Sequence, residues 1–289
     1  MKKKCIVMFS GGLDSRLAIK IMQEKGFDVL AVFFKLPFGT GCCNENCSFN
    51  FSQLQGIKLK IFDCTKGKLL KEYLEVIKKA KHGRGAGVNP CIDCRIFMLE
   101  NVKKFADKEK IKFIATGEVT GQRPMSQQKK QIEIIENESG LKDRIIRPLI
   151  DFYEIQGRSR KSQIALAKKF KIKYPHPAGG CLLCEKALKI RLETLLKRGL
   201  NEEEIIFVNV GRHFMINKAW VVIGRDEKEN KIIESSKTGK IIEPDYPAPS
   251  AVIMGETSKI IFNKVNQLIQ AYSKKGSLAE RKKFDKWKL

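Results

Sequence analysis

The sequence predicts an α/β protein: a doubly wound parallel sheet followed by a smaller C-terminal α+β domain. Short apolar runs, the first at residues 6–9, are followed by stretches with helical spacing of apolar residues. The first run ends at Ser10-Gly11-Gly12, and helical spacing begins at Leu13. After about Gly199 the pattern changes to short strand-like runs separated by turns. The first two observations predict the sheet, and the third predicts the second domain.

Further strands and helices alternate along the first part of the chain. This β-α-β order favours parallel strands with right-handed crossovers, and ligands of such sheets bind at the carboxyl ends of the strands. The predicted strands are residues 29–34, 59–62, 111–116 and 145–148, and the predicted helices between them are residues 69–80 and 92–106.

Three segments are predicted. Residues 1–175 form the sheet domain, residues 176–200 a connector that carries cysteines, and residues 201–289 the α+β domain. The last segment contains basic and aromatic residues that are typical of RNA contact surfaces, although core aromatics beside surface charge would give the same composition. These residues are Arg212, His213, Phe214, Trp220 and Arg225. The predicted strands of this domain are residues 205–210, 215–216, 219–223 and 241–242, and a helix is predicted at 257–272.

The charge of the chain indicates its partners. Lysine and arginine number 56 against 32 aspartate and glutamate residues, a formal net charge of +24. A lysine-rich solvated surface would explain part of this excess, but such surfaces usually carry more glutamate as well. A polyanion, and first of all a nucleic acid, explains the imbalance better. No apolar run has the length of a signal peptide or a membrane span, so we expect a cytoplasmic protein without membrane contact.

The stretch CIVMFSGGLDSRLA, residues 5–18, predicts an anion site. Its two glycines allow the backbone to approach a ligand closely, and the hydroxyls of Ser10 and Ser15 add donors. The start of the following helix adds free N–H groups and the positive end of the helix dipole. The stretch lacks the Gly-Lys-Ser/Thr ending of a Walker A loop. A plain glycine turn between a strand and a helix is the structural alternative.

Cysteine spacing predicts a second chemical site. Nine cysteines in a chain expected in the cytoplasm do not predict a disulfide framework. Two CxxC pairs stand out, Cys91/Cys94 and Cys181/Cys184. The first pair begins a predicted helix, where the dipole and free N–H groups favour the thiolate, so it suits either a reactive thiolate or a metal ligand. An irregular loop with no assigned role carries Cys42, Cys43 and Cys47.

Polar residues follow the strand predicted at 111–116. The strand ends in Thr116-Gly117-Glu118, and Glu118 lies where a Mg²⁺ or ATP contact would belong. A polar segment that contains Gln122 and Arg123 comes next. These residues are therefore candidates for the same ligand site as the first glycine loop.

These stretches resemble known families. SGGLDS, directly after a strand, resembles the PP-loop of the ATP pyrophosphatases, which bind ATP and release pyrophosphate while adenylating a substrate. TGEVTGQRPMSQ, RPLI and CIDCRIFM resemble segments of the tRNA 4-thiouridine synthases, and NPCIDC is similar to the NPC-C segment of the tRNA 2-thiouridylases. GRSRK and PAGGCLLC are typical of a short thiouridylase-like group. We expect a short form without an N-terminal THUMP domain or a C-terminal rhodanese domain.

The resemblance implies an adenine nucleotide alpha hydrolase-like fold and an ATP-dependent tRNA sulfurtransferase. ATP and Mg²⁺ would activate a uridine carbonyl oxygen, and a sulfur nucleophile would displace AMP to give a thiouridine. The implied partners are tRNA and a sulfur donor, either free sulfide or a cysteine desulfurase or persulfide carrier; a homodimer stays open. The implied catalytic residues are Asp14, Cys91 and Cys181. The implied ATP-binding residues are Ser10, Gly11, Gly12, Asp14, Ser15, Phe33, Thr116, Gly117, Glu118 and Gln122.

Related sulfurtransferases supply sulfur either from a cysteine persulfide or from a [4Fe–4S] cluster held by three cysteines. The resemblance favours the cluster, with Cys91, Cys94 and Cys181 as ligands, because a CxxC pair and one distant cysteine form that pattern. Cys181 follows Gly179-Gly180, which permit close approach, and Cys184 is the alternative third ligand. Persulfide chemistry and a structural Zn²⁺ site on four thiolates remain alternatives.

Two other functions fit part of the sequence. One is a different ATP pyrophosphatase that acts on a small molecule, although the net charge of +24 favours a nucleic acid. The other is a zinc-stabilised RNA-binding module whose nucleotide loop is inactive. The intact Ser10, Asp14 and Ser15 of the loop count against that module.

Overall fold

A computed structural model describes residues 2–39, 45–174 and 181–289 of the chain. The chain divides into two compact units, Met1–Lys186 and Ala187–Leu289. The division falls inside the segment 176–200 that the sequence suggests as a connector. Of the cysteines noted above, Cys42 and Cys43 lie outside the described residues, and so do Gly179 and Gly180.

The first unit contains a five-stranded parallel sheet in the order β3-β2-β1-β4-β5. The predicted doubly wound parallel sheet is thereby confirmed. Its strands are β1 (Lys4–Met8), β2 (Asp28–Lys35), β3 (Lys58–Asp63), β4 (Phe113–Thr116) and β5 (Ile145–Ile146). Its helices are α1 (Leu13–Glu24), α2 (Glu45–Leu54), α3 (Gly67–Lys79), α4 (Cys91–Lys108), α5 (Lys129–Glu138), α6 (Pro148–Asp151) and α7 (Lys161–Lys169).

The strand order places a switch point between β1 and β4. Chain connections leave these neighbouring strands in opposite directions, to β2 on one side and to β5 on the other. A crevice opens at such a point outside the carboxyl ends of the two strands, and it is the usual ligand site of open α/β sheets. The loop after β1 and the segment after β4 therefore lie together at this edge.

Both faces of the sheet are covered. Alternate residues of β1, Cys5 and Val7, are fully buried in one apolar cluster with α1, and Ile6 between them is equally buried on the opposite face. Helix α1 contributes Leu17 and Ile21 to the first cluster. Burial on both faces explains why the strand is continuously apolar instead of alternating.

The second unit contains a four-stranded antiparallel sheet in the order β6-β7-β9-β8. Apolar residues of β6, β7 and β9 pack with one long helix, α10, to form its core. Its strands are β6 (Arg212–Ile216), β7 (Ala219–Ile223), β8 (Lys240–Ile242) and β9 (Ala251–Met254). Its helices are α8 (Lys189–Arg198), α9 (Glu227–Glu234), α10 (Lys259–Tyr272) and α11 (Leu278–Lys282).

One expectation about this unit is wrong, and for three aromatic residues the alternative of core packing holds. The strand predicted at residues 205–210 is a short 3₁₀ helix, Ile205–Asn209, which buries Ile205, Phe207 and Val208. His213, Phe214 and Trp220 are fully buried, and the indole Nε1 of Trp220 donates to His213 Nδ1 at 3.1 Å. These three aromatic rings therefore belong to the core and do not form an RNA contact surface.

No helix among the described residues is both long enough and apolar enough to cross a membrane.

Candidate active site

The loop after β1 is an open cradle of backbone groups. Gly11 adopts a φ of 81°, which a side chain would strain, and Gly12 is the N-cap of α1 without any side-chain capping bond. The first N–H groups of α1 are thus left for a ligand, and the helix dipole adds positive potential. This is the arrangement that binds phosphate at helix N-termini.

The two serines of the loop brace it from within. The Ser15 hydroxyl donates to the carbonyl of Gly12 at 2.9 Å and accepts from the Ser10 N–H at 3.3 Å. The two hydroxyl oxygens lie 3.2 Å apart. Ser15 is buried, whereas Ser10 is exposed. Ser15 therefore shapes the turn, and the Ser10 hydroxyl is the one that a ligand can reach.

Arg16 fixes the loop from behind, although the sequence analysis did not single it out. Its guanidinium donates to the carbonyl of Gly11 at 2.7 Å, to that of Lys173 at 2.9 Å and to Cys47 Sγ at 3.2 Å. The same group lies 4.4 Å from the ring centre of Phe51. A buried guanidinium with this many partners makes the loop rigid before a ligand arrives.

The end of β4 touches the loop directly at Gly117. A Cβ built on Gly117 would lie 2.7 Å from the backbone carbon of Asp14 and 2.7 Å from the backbone nitrogen of Ser15. Backbone atoms on both sides cannot move aside as a side chain could, so only glycine fits here. The close approach brings Thr116-Gly117-Glu118 and the phosphate loop to one edge of the sheet.

Asp14 supplies a partly buried carboxylate at this edge. Its Oδ2 accepts a hydrogen bond from Gln122 Nε2 at 3.2 Å, and its Oδ1 is buried with no hydrogen-bond partner among the described residues. Burial raises the pKa of Asp14, while the charges of Arg160 and Arg123 and the bond from Gln122 oppose that rise. A buried carboxylate oxygen without a partner is the kind of atom that a bound cation or ligand would satisfy.

Glu118 is held by the protein itself. Arg95 donates to its Oε1 at 2.6 Å, Arg147 lies 3.4 Å from its Oε2, and the Thr116 hydroxyl donates to the same oxygen at 3.0 Å. Burial alone would raise the pKa of Glu118, but the two arginines outweigh burial and lower it. The carboxylate therefore anchors helix α4 to the end of β4, which differs from the expected contact with ATP or Mg²⁺.

Phe33 lies at the neighbouring strand end. It is buried in β2, where it pairs with Ile61 of β3. The ring of the next residue, Phe34, stacks on Phe62 at 4.8 Å between ring centres. Phe33 is thus on the strand beside β1, and its contact with ATP stays a prediction.

The first cysteine pair begins helix α4 as predicted. Asn89 Nδ2 donates to Cys91 Sγ at 3.1 Å, and Asn89 Oδ1 accepts from the N–H of Gly87 at 3.2 Å. Cys94 Sγ lies 3.6 Å from Tyr73 Oη. Burial raises the pKa of the Cys94 thiol to about 12. The two thiols of one CxxC pair therefore have different surroundings.

The second cysteine pair is docked onto the first by backbone contacts. The N–H of Val88 donates to the carbonyl of Leu183 at 2.8 Å. A Cβ on Gly87 would lie only 2.2 Å from the same carbonyl oxygen, so glycine is required at that position. The short 3₁₀ turn Leu182–Cys184 is in this way held against the segment that precedes Cys91.

Cys91 and Cys184 perturb each other's protonation. The neighbouring Cys184 thiol lowers the pKa of Cys91, and Cys91 in turn raises the pKa of Cys184. Asn89 and the charge of Arg123 favour the Cys91 thiolate as well, against the cost of burial. Burial raises the pKa of the Cys181 thiol to about 11. Both thiols of the second pair thus interact with the first pair, and the choice between Cys181 and Cys184 as a third ligand stays a prediction.

The segment after β4 connects the loop with the cysteines. Gln122 bonds to Asp14, and three residues later Met125 Sδ lies 3.4 Å from Asn89 Nδ2, the atom that also bonds Cys91. The charge of Arg123, between them in sequence, acts on both Asp14 and Cys91. A single segment therefore spans from the phosphate loop to the thiols.

The four thiols of the two CxxC pairs are close enough for their charges to affect one another, but they are not arranged as the ligands of one metal ion. The charge of Cys91 bears on Cys94 and Cys181, and that of Cys181 bears on Cys94 and Cys184. Within residues 2–39, 45–174 and 181–289, no three His, Cys, Asp or Glu side chains are grouped as ligands of one metal ion. By donor chemistry alone, four thiols are the ligands preferred by iron–sulfur clusters and zinc.

Sequence reasoning assigns no role to Asn89, Arg95, Arg147 or Arg16, although it places Arg147 at the end of a predicted strand. Asn89 and Arg16 act on residues close to them in sequence, whereas Arg95 and Arg147 reach Glu118 from other elements. Asn89 does stand in the NPC motif, which is the one signal that pointed to it. The partners of the arginines depend on the packing of α4 and of the strand ends, which spacing does not encode.

His82 clamps the helix that carries the first cysteine pair. Its Nδ1 lies 2.8 Å from Asp93 Oδ1, and its Nε2 lies 2.9 Å from Glu138 Oε1. Lys81 donates to the other oxygen of Glu138 at 2.8 Å. Burial would lower the pKa of His82, but the two carboxylates outweigh burial and raise it. The clamp joins the first turn of α4 to the end of α5.

The strand order, the glycine loop at a helix N-terminus and the carboxylate beside it define a nucleotide-binding α/β protein of the PP-loop class. A model of the family described as thiamine biosynthesis protein (ThiI) matches residues 1–172, which is more than half of the chain. The chain belongs to this ThiI family. A second model, described as the NFACT protein RNA binding domain, matches residues 211–283.

Relatives with assigned functions match part of the chain. The tRNA-specific 2-thiouridylase MnmA of Sulfurimonas denitrificans is 29% identical over 123 residues, 40% of this chain and 35% of that protein. The MnmA of Nitratiruptor sp. is 27% identical over 179 residues, 58% of this chain and 52% of that protein. The chain therefore spans between a third and about half of the length of these relatives.

A solved structure with a related arrangement is a 4-thiouridine synthetase in complex with RNA and bound ATP. It is 20% identical to this chain, with a TM-score of 0.45, over 71% of this chain and 52% of that one. A superposition this loose supports no conclusion about the site.

The close approach at Gly117 makes a first prediction. In Gly117→Ala, the added methyl group collides with the backbone of Asp14 and Ser15, so the loop must shift. We expect the affinity for ATP to fall about tenfold or more, since overpacking costs about 1–3 kcal/mol. Isothermal titration of the folded variant with ATP and Mg²⁺ measures the effect.

Gly26→Ala is the control for this substitution. Gly26 has a φ of 82°, but an added Cβ there meets no atom within 4 Å. We expect this variant to lose some stability and to bind ATP as the unchanged protein does. Equal ATP affinities of the Gly117 and Gly26 variants would contradict the role given to the close approach.

The raised pKa of His82 makes a prediction about stability and pH. The protonated ring stabilises the fold below its ordinary pKa of about 6.5, and this contribution is lost as the pH rises through the raised value in the folded state. We expect His82→Gln to lower the melting temperature of the first unit by a few degrees at pH 6 and much less at pH 9. Scanning calorimetry of the full chain measures both. A difference that does not shrink with rising pH would rule out an ionic role of His82.

Proposed function

We propose that this protein is an ATP-dependent tRNA sulfurtransferase that replaces a uridine carbonyl oxygen with sulfur. The observation that carries the proposal is the single segment after β4, which bonds the phosphate loop at Asp14 and, through Met125 and Asn89, approaches Cys91. An activating site and a sulfur site within one unit are what thiolation requires. The MnmA relatives, which are named as tRNA-specific 2-thiouridylases, support the same reading.

Activation would take place at the phosphate loop. The uridine carbonyl oxygen attacks the α-phosphorus of ATP, the bond from that phosphorus to the bridging oxygen breaks, and pyrophosphate leaves. The N–H groups at the start of α1 and the Ser10 hydroxyl would hold the departing phosphates. Mg²⁺, which Asp14 Oδ1 would hold, would offset the negative charge that develops on them.

Sulfur transfer would take place at the cysteines. A sulfur nucleophile attacks the activated carbon, a C–S bond forms, the C–O bond breaks, and AMP leaves with the oxygen. We propose Cys91, Cys94 and Cys181 as the ligands of a [4Fe–4S] cluster, with Cys184 as the alternative third ligand; their thiol donors fit such a group. When bound, the cluster would supply sulfide. Asn89 would orient Cys91, and Tyr73 would orient Cys94.

The docking of the turn Leu182–Cys184 against the segment before Cys91 supports a persulfide route as the alternative. A sulfane-sulfur donor would transfer one sulfur atom to the Cys91 thiolate, and its terminal sulfur would attack the activated carbon. The Cys184 thiolate would then attack Cys91 Sγ, forming a disulfide and releasing the thiouridine. An external thiol reductant would restore both thiols. A structural Zn²⁺ ion on the same thiols would neither provide a sulfur atom nor leave a thiol free to carry a persulfide.

RNA binding would involve the second unit. It contains the segment that matches the NFACT protein RNA binding domain, and the chain as a whole carries a net charge of +24. We propose tRNA as the substrate, a desulfurase, persulfide carrier or free sulfide as the sulfur source, and the cytoplasm as the location.

Sulfur transfer to a small molecule is the second candidate. It is favoured by the description of the matching family as a thiamine biosynthesis protein. The excess of positive charge favours the tRNA instead, because a small substrate gives no reason for it.

An assay with tRNA tests the proposal. Purified chain, ATP, Mg²⁺, sulfide and unmodified tRNA are combined without oxygen, and nucleosides are analysed by mass spectrometry. We expect thiouridine, and we expect Asp14→Ala and Cys91→Ser to reduce it below about 1% because each removes a group needed in both sulfur routes. Cys64→Ala, a buried thiol on another element, is the control and should retain most activity. Absence of thiouridine from the unchanged protein would refute the function.

Two cysteine variants separate the sulfur routes. The proposed ligand set predicts that Cys181→Ser loses the thiolation activity and that Cys184→Ser retains it. The protein prepared without oxygen should absorb near ~400 nm, as iron–sulfur proteins do. A colourless protein with one zinc would refute the cluster. A colourless, active protein that depends on Cys184 and not on Cys181 would establish the persulfide route in its place.

A further inference from the structure

Four arginines converge at one end of the sheet in the second unit. They come from four places in the chain: helix α8, the start of β6, the turn after β7, and helix α11. We call them the arginine cluster: Arg191, Arg212, Arg225 and Arg281. The turn residue Gly224 and the ring of Tyr272 at the end of α10 connect them.

Shared contacts connect three of the four, and the fourth, Arg191, is close enough to Arg225 for the charge of Arg225 to lower its pKa. Arg212 Nη1 donates to the carbonyl of Gly224 at 2.9 Å, next to Arg225 in sequence. The guanidinium of Arg212 lies 5.0 Å from the ring centre of Tyr272, and that of Arg281 lies 5.2 Å from it. Arg281 Nε also donates to the carbonyl of Ala271 at 3.0 Å. Their planes are therefore held in place before any ligand binds.

Positive charge in the cluster exceeds the negative charge around it. Glu229 pairs with Arg225, and Asp226 lies next to Arg225 while capping helix α9. Burial and the charge of Arg225 lower the pKa values of Arg191 and Arg212. Among the described residues, one carboxylate, Glu229, forms an ion pair with one of the four guanidinium groups, and like charges this close repel one another. An anion bound among them would relieve that repulsion.

Within the cluster, the guanidinium of Arg191 has an unpaired hydrogen-bond donor. Its Nε is buried and has no hydrogen-bond partner among the described residues. The charge of Arg191 acts together with burial to lower the pKa of the neighbouring His213 to about 3, so that ring is neutral and adds no counter-charge. A buried donor without an acceptor, in a positive environment, suits an anionic oxygen.

We propose that the arginine cluster binds phosphate groups of an RNA backbone. The inference rests on the proposed function for its RNA, and it assigns the backbone contacts to particular residues, three of them inside the segment that matches an RNA binding domain. Planar guanidinium forks suit phosphate oxygens, which they bind in pairs. Helix α8, which supplies Arg191, lies before the matched residues 211–283. The site therefore combines the matched domain with a helix outside it.

The surrounding aromatic rings point to phosphate contacts instead of base stacking. Tyr272 has two arginines against its ring, and Trp220 is fully buried. Trp287 has Lys264 at 5.1 Å and Lys286 at 4.4 Å from its ring centre. These rings are occupied by cations or by the core, so the cluster is expected to hold the backbone without choosing a base sequence.

The test measures binding of a fluorescently labelled tRNA transcript to the full chain by anisotropy, over a series of chloride concentrations. Arg191→Met keeps the length of the side chain and removes its charge and donors. We expect binding about five- to tenfold weaker and a salt slope reduced by about one, as for the loss of one phosphate contact. Arg281→Met should behave in the same way.

Lys197→Met is the matched control, because Lys197 is an exposed residue of the same helix and the charge change is identical. It should weaken binding less than twofold. Circular dichroism on heating verifies that the variants fold. If Arg191→Met and Arg281→Met bind like Lys197→Met, the cluster is not a backbone site, whatever the thiolation assay shows. Failure of the unchanged chain to bind tRNA would overturn the inference as well.

Two further measurements identify the ligand. Arg191→Lys keeps the charge and loses the fork, so we expect it to keep the salt slope of the unchanged chain and to bind with intermediate affinity. Inorganic phosphate should displace tRNA more strongly than chloride does at equal ionic strength, because it competes for the same guanidinium forks. Binding of inorganic phosphate to the cluster, together with tRNA binding that Arg191→Met and Arg281→Met leave unchanged, would mean a small-anion site and would overturn the assignment to RNA. A chain that binds tRNA through the cluster but forms no thiouridine would refute the proposed function alone.

Discussion

The backbone contact between the end of β4 and the first turn of α1 is the constraint on which the active site depends. At Gly117 there is no room for a single carbon atom beyond the backbone. Because of this contact, Glu118 follows immediately beside the loop, and its bond to Arg95 draws helix α4 to the same edge. The ion pair between Glu118 and Arg95 therefore holds the start of α4, which carries the first cysteine pair, near the nucleotide loop.

The cysteines are brought together by main-chain contacts more than by their own chemistry. Leu183 accepts from Val88, and Gly87 leaves space for that carbonyl, so the second pair is seated independently of any bond between sulfur atoms. Because the backbone holds the two segments together, the sulfur atoms can change their partners or oxidation state while the segments stay in place. This arrangement suits sulfur transfer, in which the bonds of the sulfur atoms must change in every cycle.

The sequence predicts the sheet, its glycine loop and the position of the first cysteine pair because each depends on local periodicity or helix position. The strand predicted at residues 205–210 is wrong because a short apolar run is compatible with a buried 3₁₀ turn as well as with a strand. Spacing offers Cys181 and Cys184 as candidates for a third ligand, whereas the docking of their 3₁₀ turn against the segment before Cys91 depends on tertiary contacts that spacing does not encode. Glu118 is visible as a strand-end carboxylate, but its two arginine partners depend on tertiary packing.

The chain has two tryptophans, and both lie in the second unit. Trp220 is fully buried against His213, and Trp287 packs at the edge of the same core. Intrinsic tryptophan emission therefore reports on that unit alone, while the unit with the PP-loop is spectroscopically silent at those wavelengths. A nucleotide that changes this emission would have to act beyond the unit that binds it, so the natural fluorophores already provide an assay for communication along the chain.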